Sequence, residues 1–255
     1  MDAIPRAFAR ALGSAIKYHA QVVRIERQGE RARVVWRDRN TKHTQAIESD
    51  FVICTLPLPV LRSVANDFSQ KLQTAIAKGA TYYVPAGKVA FFSDRRWWET
   101  DHQLYGGISW TSADITQIWY PSHGFHEKNG VITGGYMWDA LGATFAPKSP
   151  RERAAAAIKD GERLHPGYGS LVSRGASIAW PNVPFSEGGW CEWPDAERND
   201  SYPILVSGEG PFYFAGEHVS YVPGWQEGAV QSAHYAVCRI TEKSTDINGN
   251  GCPAK

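Results

Sequence analysis

The chain has 255 residues, of which 43% are hydrophobic, and this is enough to bury a sizeable core in one large or two modest domains. Its 27 basic and 26 acidic residues leave a net charge of +1, which gives no electrostatic reason to expect nucleic acid or an anionic membrane as a partner. No apolar run approaches the roughly 20 residues that span a bilayer, and the four cysteines form no CxxC pair or Cys/His ligand spacing, so we predict neither a membrane span nor a metal site.

Hydrophobic periodicity predicts an α+β chain whose strands are mostly antiparallel. Helices are predicted where apolar residues recur every three or four positions, and strands where β-branched and aromatic residues cluster. In chain order, the predicted elements are a helix over 1–16, strands over 21–27 and 32–37 joined by a turn at 28–30, a strand over 51–55, a helix over 58–77, strands over 88–92, 116–120 and 131–137, a helix over 150–164 capped by Ser149, a structured loop over 178–195, a strand over 212–214, a helix over 226–240 and a flexible tail over 242–255.

The stretch FAGEHVSYVPGWQEGAVQSAH, residues 214–234, is the most informative short segment. A strand leads through Ala-Gly-Glu into a loop with Gly224 and Trp225, and then into a helix that begins at Gln226. This order can present backbone N–H groups and a helix N-terminus to an anionic or polar ligand. Gly216 permits close approach of the backbone. By itself, the stretch is explained equally well as an ordinary helix entry.

The segment FYFAGEHVSYVPGWQEGAVQSAHYAV resembles the C-terminal flavin-binding segment of the flavin-dependent amine oxidases, and its likeness is closest to the bacterial L-amino-acid oxidases. Other segments resemble further parts of that family, occur in the family's order and together cover nearly the whole chain. They are MDAIPRAFARAL, VVRIERQGERARVVW, VICTLPLPVL, GKVAFFSDRRWWE, QIWYPS and AWPNVPFSEGGW. This shared order is far more specific than any single motif.

The resemblance implies part of a flavin amine oxidase fold. Residues 1–57 and 205–241 would form part of the FAD-binding domain, and residues 58–204 a substrate-binding domain on a mixed or antiparallel sheet with flanking helices. The family's strand–GxGxxG–helix unit, which holds the FAD pyrophosphate, has no counterpart here, because the near match at 249–254 neither follows a strand nor opens a helix. We therefore expect a second chain to carry that segment within an oligomer. Processing or truncation is the alternative.

The activity that the resemblance implies is oxidation of an amino acid by oxygen to a keto acid, ammonia and hydrogen peroxide. FAD is expected to be non-covalent, because Trp190 rather than Cys191 falls at the position of the cysteine that attaches the flavin in some relatives. A flavin monoamine oxidase, an amino-acid monooxygenase and a non-catalytic fragment without cofactor remain alternatives. The sequence leaves the cytoplasm, the periplasm and secretion open as compartments.

The resemblance also assigns roles to individual residues. Lys88 would hold a water near the reactive flavin nitrogen, and Tyr120 would bind the substrate carboxylate. Trp225 and Trp190 would form the aromatic walls beside the substrate, and Trp225, Lys88 and Tyr120 form the expected catalytic set. The expected cofactor-binding residues are Val22, Trp180, Gly216, Glu217 and Gln226. The competing interpretations are ordinary core packing for the tryptophans and a solvated surface charge for Lys88.

Overall fold

The computed structural model describes the backbone of residues 2–244 and the side chains of residues 2–241. The strands are β1 (Ala20–Gln28), β2 (Arg31–Asp38), β3 (Thr44–Ser49), β4 (Val52–Cys54), β5 (Ala65–Asn66), β6 (Ala86–Ser93), β7 (Ile108–Trp110), β8 (Gln117–Trp119), β9 (Gly130–Trp138), β10 (Ser173–Ala179) and β11 (Phe212–Phe214). The α-helices are α1 (Ala3–Leu12), α2 (Leu58–Leu61), α3 (Gln70–Thr81), α4 (Trp97–Thr100), α5 (Asp139–Phe145), α6 (Pro150–Gly161), α7 (Tyr168–Leu171), α8 (Asp195–Asn199), α9 (Tyr202–Ser207) and α10 (Gln226–Ser244).

The described strands form three sheets. One has four strands in the order β3-β2-β1-β5, and a second has five in the order β10-β6-β9-β8-β7. The five-stranded sheet is antiparallel throughout. The third sheet pairs β11 with β4 in parallel. The mixed, mostly antiparallel α+β architecture predicted from the sequence is therefore confirmed.

Most predicted elements are present, with ends that differ by a few residues. The capping of α6 is confirmed, because Ser149 Oγ accepts a hydrogen bond from the Glu152 N–H (3.3 Å) and the Glu152 carboxylate accepts one from the Ser149 N–H (2.7 Å). The last helix runs beyond its predicted end to Ser244. Residues 245–255 of the predicted tail lie outside the described residues.

The predicted helix over 58–77 is wrong, because the structure divides this stretch into α2, β5 and α3. The Asn66 side chain donates to the Val64 carbonyl and accepts from the Phe68 N–H, which stabilises a local turn instead of a helix. Ser69 then caps the new helix by accepting from the Leu72 N–H. Periodicity alone did not reveal this break.

Two predictions at other places also need correction. The loop predicted over 178–195 begins too early, since β10 extends to Ala179 and pairs with β6. The first helix is shorter than predicted, ending at Leu12, and it buries none of its residues. Its apolar side chains include Ile4 and Phe8, which are 49% and 59% exposed.

Two large hydrophobic clusters hold these elements together. The first lies between α3, β11 and the segments around Trp193, and the second lies between one face of the five-stranded sheet and the helices α5 to α7. The opposite face of that sheet carries Lys88, Trp119 and Tyr136. No described helix combines the length and the apolar character that crossing a membrane requires.

A buried ion pair fixes the loop that leads from β8 to β9. Arg96 and Glu99 form a 2.6 Å pair, and each side chain is 3% exposed. Arg96 Nη2 also donates to the His123 carbonyl (2.9 Å), and the Glu99 carboxylate accepts from the His126 N–H (2.9 Å). Burial raises the pKa of Glu99, but the His126 N–H and Arg96 lower it by more, so this carboxylate stays charged within the core.

Candidate functional site

The open face of the five-stranded sheet carries a lysine between aromatic rings. Lys88 on β6 lies opposite Tyr136 on β9 and opposite Ile178 on β10. Its Nζ atom is 4.3 Å from the centroid of the Tyr136 ring and 5.9 Å from that of Trp180. Partial desolvation lowers the pKa of Lys88. The arrangement therefore holds a cation at an aromatic surface and makes its proton easier to release.

The aromatic surface around Lys88 extends across β8 and β9. The Tyr136 ring lies 6.3 Å from that of Trp119 and 5.2 Å from that of Trp138. Trp119 is 41% exposed. These rings form a broad wall with one cation in it, which suits a flat or apolar ligand with an electron-rich or anionic portion.

Tyr120, the residue expected to bind the substrate carboxylate, lies on the other side of the sheet from Lys88. It is 5% exposed and lies in the core beneath the sheet. Its hydroxyl group lies 2.5 Å from His165 Nε2 and 2.7 Å from Ser109 Oγ. Successive side chains of a strand point to opposite faces, and here Trp119 takes the open face while Tyr120 takes the buried one.

Val22 lies at an irregularity of the first hairpin, beside a cavity. Val22 pairs with Trp36 and Arg24 pairs with Val35, so the residue between them forms a β-bulge. The bulge leaves backbone groups without ladder partners next to Val22. The adjoining cavity has a volume of about 520 Å³ and is also lined by Arg39, Leu56 and Phe185 among others.

The Gly216–Glu217 turn is closely packed against the protein beneath it. Gly216 has φ 136°, and a Cβ atom there would lie 2.5 Å from the His218 ring. Its N–H donates to Ser232 Oγ on α10 (2.8 Å). The turn therefore requires glycine both for its backbone angle and for the space that the histidine ring occupies.

The Glu217 carboxylate binds protein backbone, which was not anticipated. It accepts hydrogen bonds from the N–H groups of Cys191 (3.3 Å) and Gly224 (3.0 Å). Burial raises the pKa of Glu217, and these two N–H groups oppose the rise. The carboxylate thus joins the loop that holds Trp190 to the loop that holds Trp225.

These two loops bring Trp190, Trp225 and the start of α10 together. Gly224 lies against the Trp190 ring, since a Cβ atom at Gly224 would be 3.3 Å from it. Trp225 follows and is 70% exposed. Gln226 is the first residue of the 19-residue helix α10, whose first-turn N–H groups have no intrahelical partners. A helix of this length favours negative charge near its start.

Cys191 is unsuited to attaching a ligand. It is free and fully buried, and its sulfur lies 3.5 Å from the Gly79 carbonyl oxygen. Burial raises its pKa, which keeps the thiol protonated and unreactive. No described group of His, Cys, Asp and Glu side chains is arranged to hold a metal ion.

The predicted site residues therefore fall into three places. Lys88 and Trp180 meet on the open sheet face, Glu217 joins the loops of Trp190 and Trp225 ahead of Gln226, and Val22 borders the cavity. Sequence reasoning assigned no role to Trp119, Tyr136 or His218. Strand alternation predicts that Trp119 and Tyr120 lie on opposite faces of the sheet. Only the register of β6 with β9 shows that Tyr136 faces Lys88.

Comparison with known proteins identifies a matching family. The model of the family described as flavin containing amine oxidoreductase matches residues 1–241. The chain is 31% identical to an L-amino-acid oxidase of Mus musculus over 94% of this chain and 38% of that protein. It is also 31% identical to the flavin-dependent L-tryptophan oxidase RebO of Lentzea aerocolonigenes, over 79% of this chain and 43% of that protein.

Solved structures show the same fold. Putrescine oxidase bound to putrescine superposes with a TM-score of 0.78 at 17% identity, covering 94% of this chain and 53% of that one. The chain also spans 49% of the length of a further curated relative, so it corresponds to about half of the proteins that it matches.

Proposed function

Because this chain belongs to the flavin-containing amine oxidoreductase family, we propose that it is part of an FAD-dependent L-amino-acid oxidase. The reaction would convert an amino acid and oxygen to a keto acid, ammonia and hydrogen peroxide. The observation that carries the proposal is the Lys88 ammonium held between Tyr136 and Trp180 on an open aromatic face. The names of the curated relatives direct it towards amino acids.

The described residues fit a flavin in several respects. The Gly216 turn permits close approach of the backbone, the start of α10 offers unpaired N–H groups, and the bulge beside Val22 exposes backbone for an adenine. Trp180 would lie against the flavin ring system. The buried, protonated Cys191 supports non-covalent binding. When bound, FAD supplies the acceptor for the two electrons that leave the amine.

The chain's own side chains would orient the substrate and hold a proton. Lys88, with its lowered pKa, would orient a water at the open face. Trp190 and Trp225 would form the aromatic walls. We transfer the substrate-facing role from Tyr120 to Trp119 and Tyr136, because these two rings lie on the face of Lys88 whereas Tyr120 lies beneath it.

We further propose that residues 1–57 and 205–241 belong to the FAD-binding domain and residues 58–204 to the substrate domain. A second chain would supply the GxGxxG segment within an oligomer. Two features support an additional polypeptide surface: the exposed apolar side chains of α1 and the parallel sheet, which has two strands, β4 and β11, in the described part of the chain. Parallel sheets are ordinarily larger and covered on both faces.

Purification and assay test the proposal together. Protein isolated with its native partners should show flavin absorbance at roughly 380 and 450 nm, since the cofactor is the chromophore. It should also release hydrogen peroxide with L-amino acids. Peroxide release with simple amines alone would indicate a monoamine oxidase, and an amide product would indicate a monooxygenase. The proposal would be contradicted if the complete assembly is isolated without flavin and stays inactive after FAD is added.

A further inference from the structure

The strand that carries Trp119 has limited support from the sheet at its C-terminal end. β8 registers with β9 at the pair Trp119 and Thr133, while the Ile115 carbonyl accepts from the Tyr136 N–H at the other end. Directly after Trp119, the Tyr120 N–H donates to the Gly107 carbonyl of the hairpin partner (3.0 Å). That partner belongs to the segment leading into β7, the edge of the sheet.

A buried polar chain ties this end to the helical layer. The Tyr120 hydroxyl lies 2.5 Å from His165 Nε2, and Ser109 Oγ lies 2.7 Å from the same hydroxyl. His165 itself is fixed after α6, where its N–H donates to the Gly161 carbonyl (2.9 Å), and its ring packs against Trp97 with centroids 4.7 Å apart. Tyr120 and His165 are 5% and 6% exposed.

The three groups can be paired in one direction, while His165 Nδ1 has no hydrogen-bond partner among the described residues. Ser109 donates to the tyrosine oxygen, and Tyr120 donates to a neutral His165 through Nε2. Burial and the neighbouring His102 lower the pKa of His165 to about 4, so the imidazole is neutral near pH 7 and can accept. Because water is excluded, loss of one member leaves the others unpaired.

We propose that Tyr120 and His165 are positioning residues that fix the indole of Trp119 on the open face. Tyr120 directly follows Trp119, the last residue of β8, and continues the hairpin pairing through its N–H bond to Gly107, so the bond beneath the sheet sets the position of the ring above it. The Gln117 side-chain oxygen accepts from the Trp119 indole N–H, which ties the indole to a neighbouring side chain of the same strand. Only the statement that Trp119 faces a substrate rests on the proposed function.

The test uses the 255-residue chain and needs neither cofactor nor substrate. Amide hydrogen exchange would be measured over residues 108–120, together with ¹⁹F NMR of 5-fluorotryptophan-labelled protein in which the Trp119 signal is assigned with Trp119→Phe. Tyr120→Phe should raise exchange in this segment about tenfold and shift or broaden the Trp119 signal. Tyr168→Phe is the matched control, since in the described chain that buried hydroxyl has no partner. It should change neither readout.

Rescue separates positioning from general packing. His165→Gln, which retains a hydrogen-bonding group, should leave the Trp119 signal closer to that of the parent protein than His165→Leu does. Should Tyr120→Phe fail to fold, Ser109→Ala removes only the outer bond and should give a smaller change of the same kind. Equal effects of Tyr120→Phe and Tyr168→Phe, or a lower melting temperature with exchange and the Trp119 signal unchanged, would overturn the proposal. An inactive assembly with these results intact would refute only the proposed function.

Discussion

Lys88 and Tyr136 face each other across β6 and β9, and the ammonium nitrogen lies 4.3 Å from the centre of the phenol ring. The ring face attracts the cation, while partial desolvation lowers the pKa of Lys88. The exposed Lys17 also lies over one ring, that of Trp36 (4.6 Å), whereas Lys88 lies near two, those of Tyr136 and Trp180. The pairing therefore favours a functional role for Lys88 over the interpretation that it is only a solvated charge.

Lys88→Met in the complete, flavin-loaded assembly should slow flavin reduction or reoxidation without removing flavin. Lys88 is exposed in this chain, and once the complete assembly covers it, loss of this oriented charge should cost on the order of 10²-fold in rate. Methionine retains the apolar stem, so packing on the sheet should survive. Stopped-flow traces of the two half-reactions measure each rate. Lys71→Met, an exposed lysine of α3, is the control. Unchanged rates in both half-reactions would show that Lys88 is a surface charge.

The 255-residue chain alone should not retain FAD on a desalting column. Its sequence has no strand–GxGxxG–helix unit to bind the pyrophosphate, although the Gly216 turn and the start of α10 are in place. The measurement is the ratio of flavin to protein after refolding with excess FAD. Stoichiometric retention would mean that the described residues suffice to bind the cofactor.

The sequence predicted the elements with strong periodicity but not the breaks between them. The helix α6 and the strand β9 follow clear patterns and capping signals, and both are present. The stretch 58–77 has helical spacing throughout, yet Asn66 and Ser69 bond their neighbours and interrupt it. Such short side-chain bonds depend on local geometry that periodicity does not report.

The sequence predicts the position of a candidate site residue where a turn or helix motif determines it. It does not do so where the position depends on the register between two strands. Gly216 and Gln226 lie at a turn and a helix start, as their motif indicates. Tyr120 and Trp119 are adjacent aromatic residues, and only strand pairing shows which of them faces Lys88. A shift of one residue exchanges the two faces of a strand, so a similar segment alone leaves the choice open.

Trp225→Ala should reduce turnover of the complete assembly more than its flavin content. The ring is 70% exposed and lies between Gly224 and the start of α10, so its loss leaves the Glu217 bonds intact. Turnover and flavin absorbance per protein are measured on the same samples. Phe125→Ala, which removes a 44% exposed ring from the loop between β8 and β9, is the control and should change neither. Flavin loss in proportion to activity would assign Trp225 to cofactor packing.

His218 should make the protein less stable in acid. Burial lowers the pKa of His218 from 6.5 to about 4. Between these values the unfolded chain binds more protons than the folded one, so the free energy of unfolding falls as the pH drops from about 6.5 towards about 4. The shift corresponds to roughly 3 kcal/mol at most.

The measurement is urea unfolding of the 255-residue chain at pH values from about 4.5 to about 7.5. The free energy of unfolding should fall less steeply with decreasing pH in His218→Gln than in the parent. His43→Gln, at an exposed position, should keep the parental slope. Identical slopes for the parent and His218→Gln would mean that the imidazole under Gly216 is protonated without penalty in the folded chain.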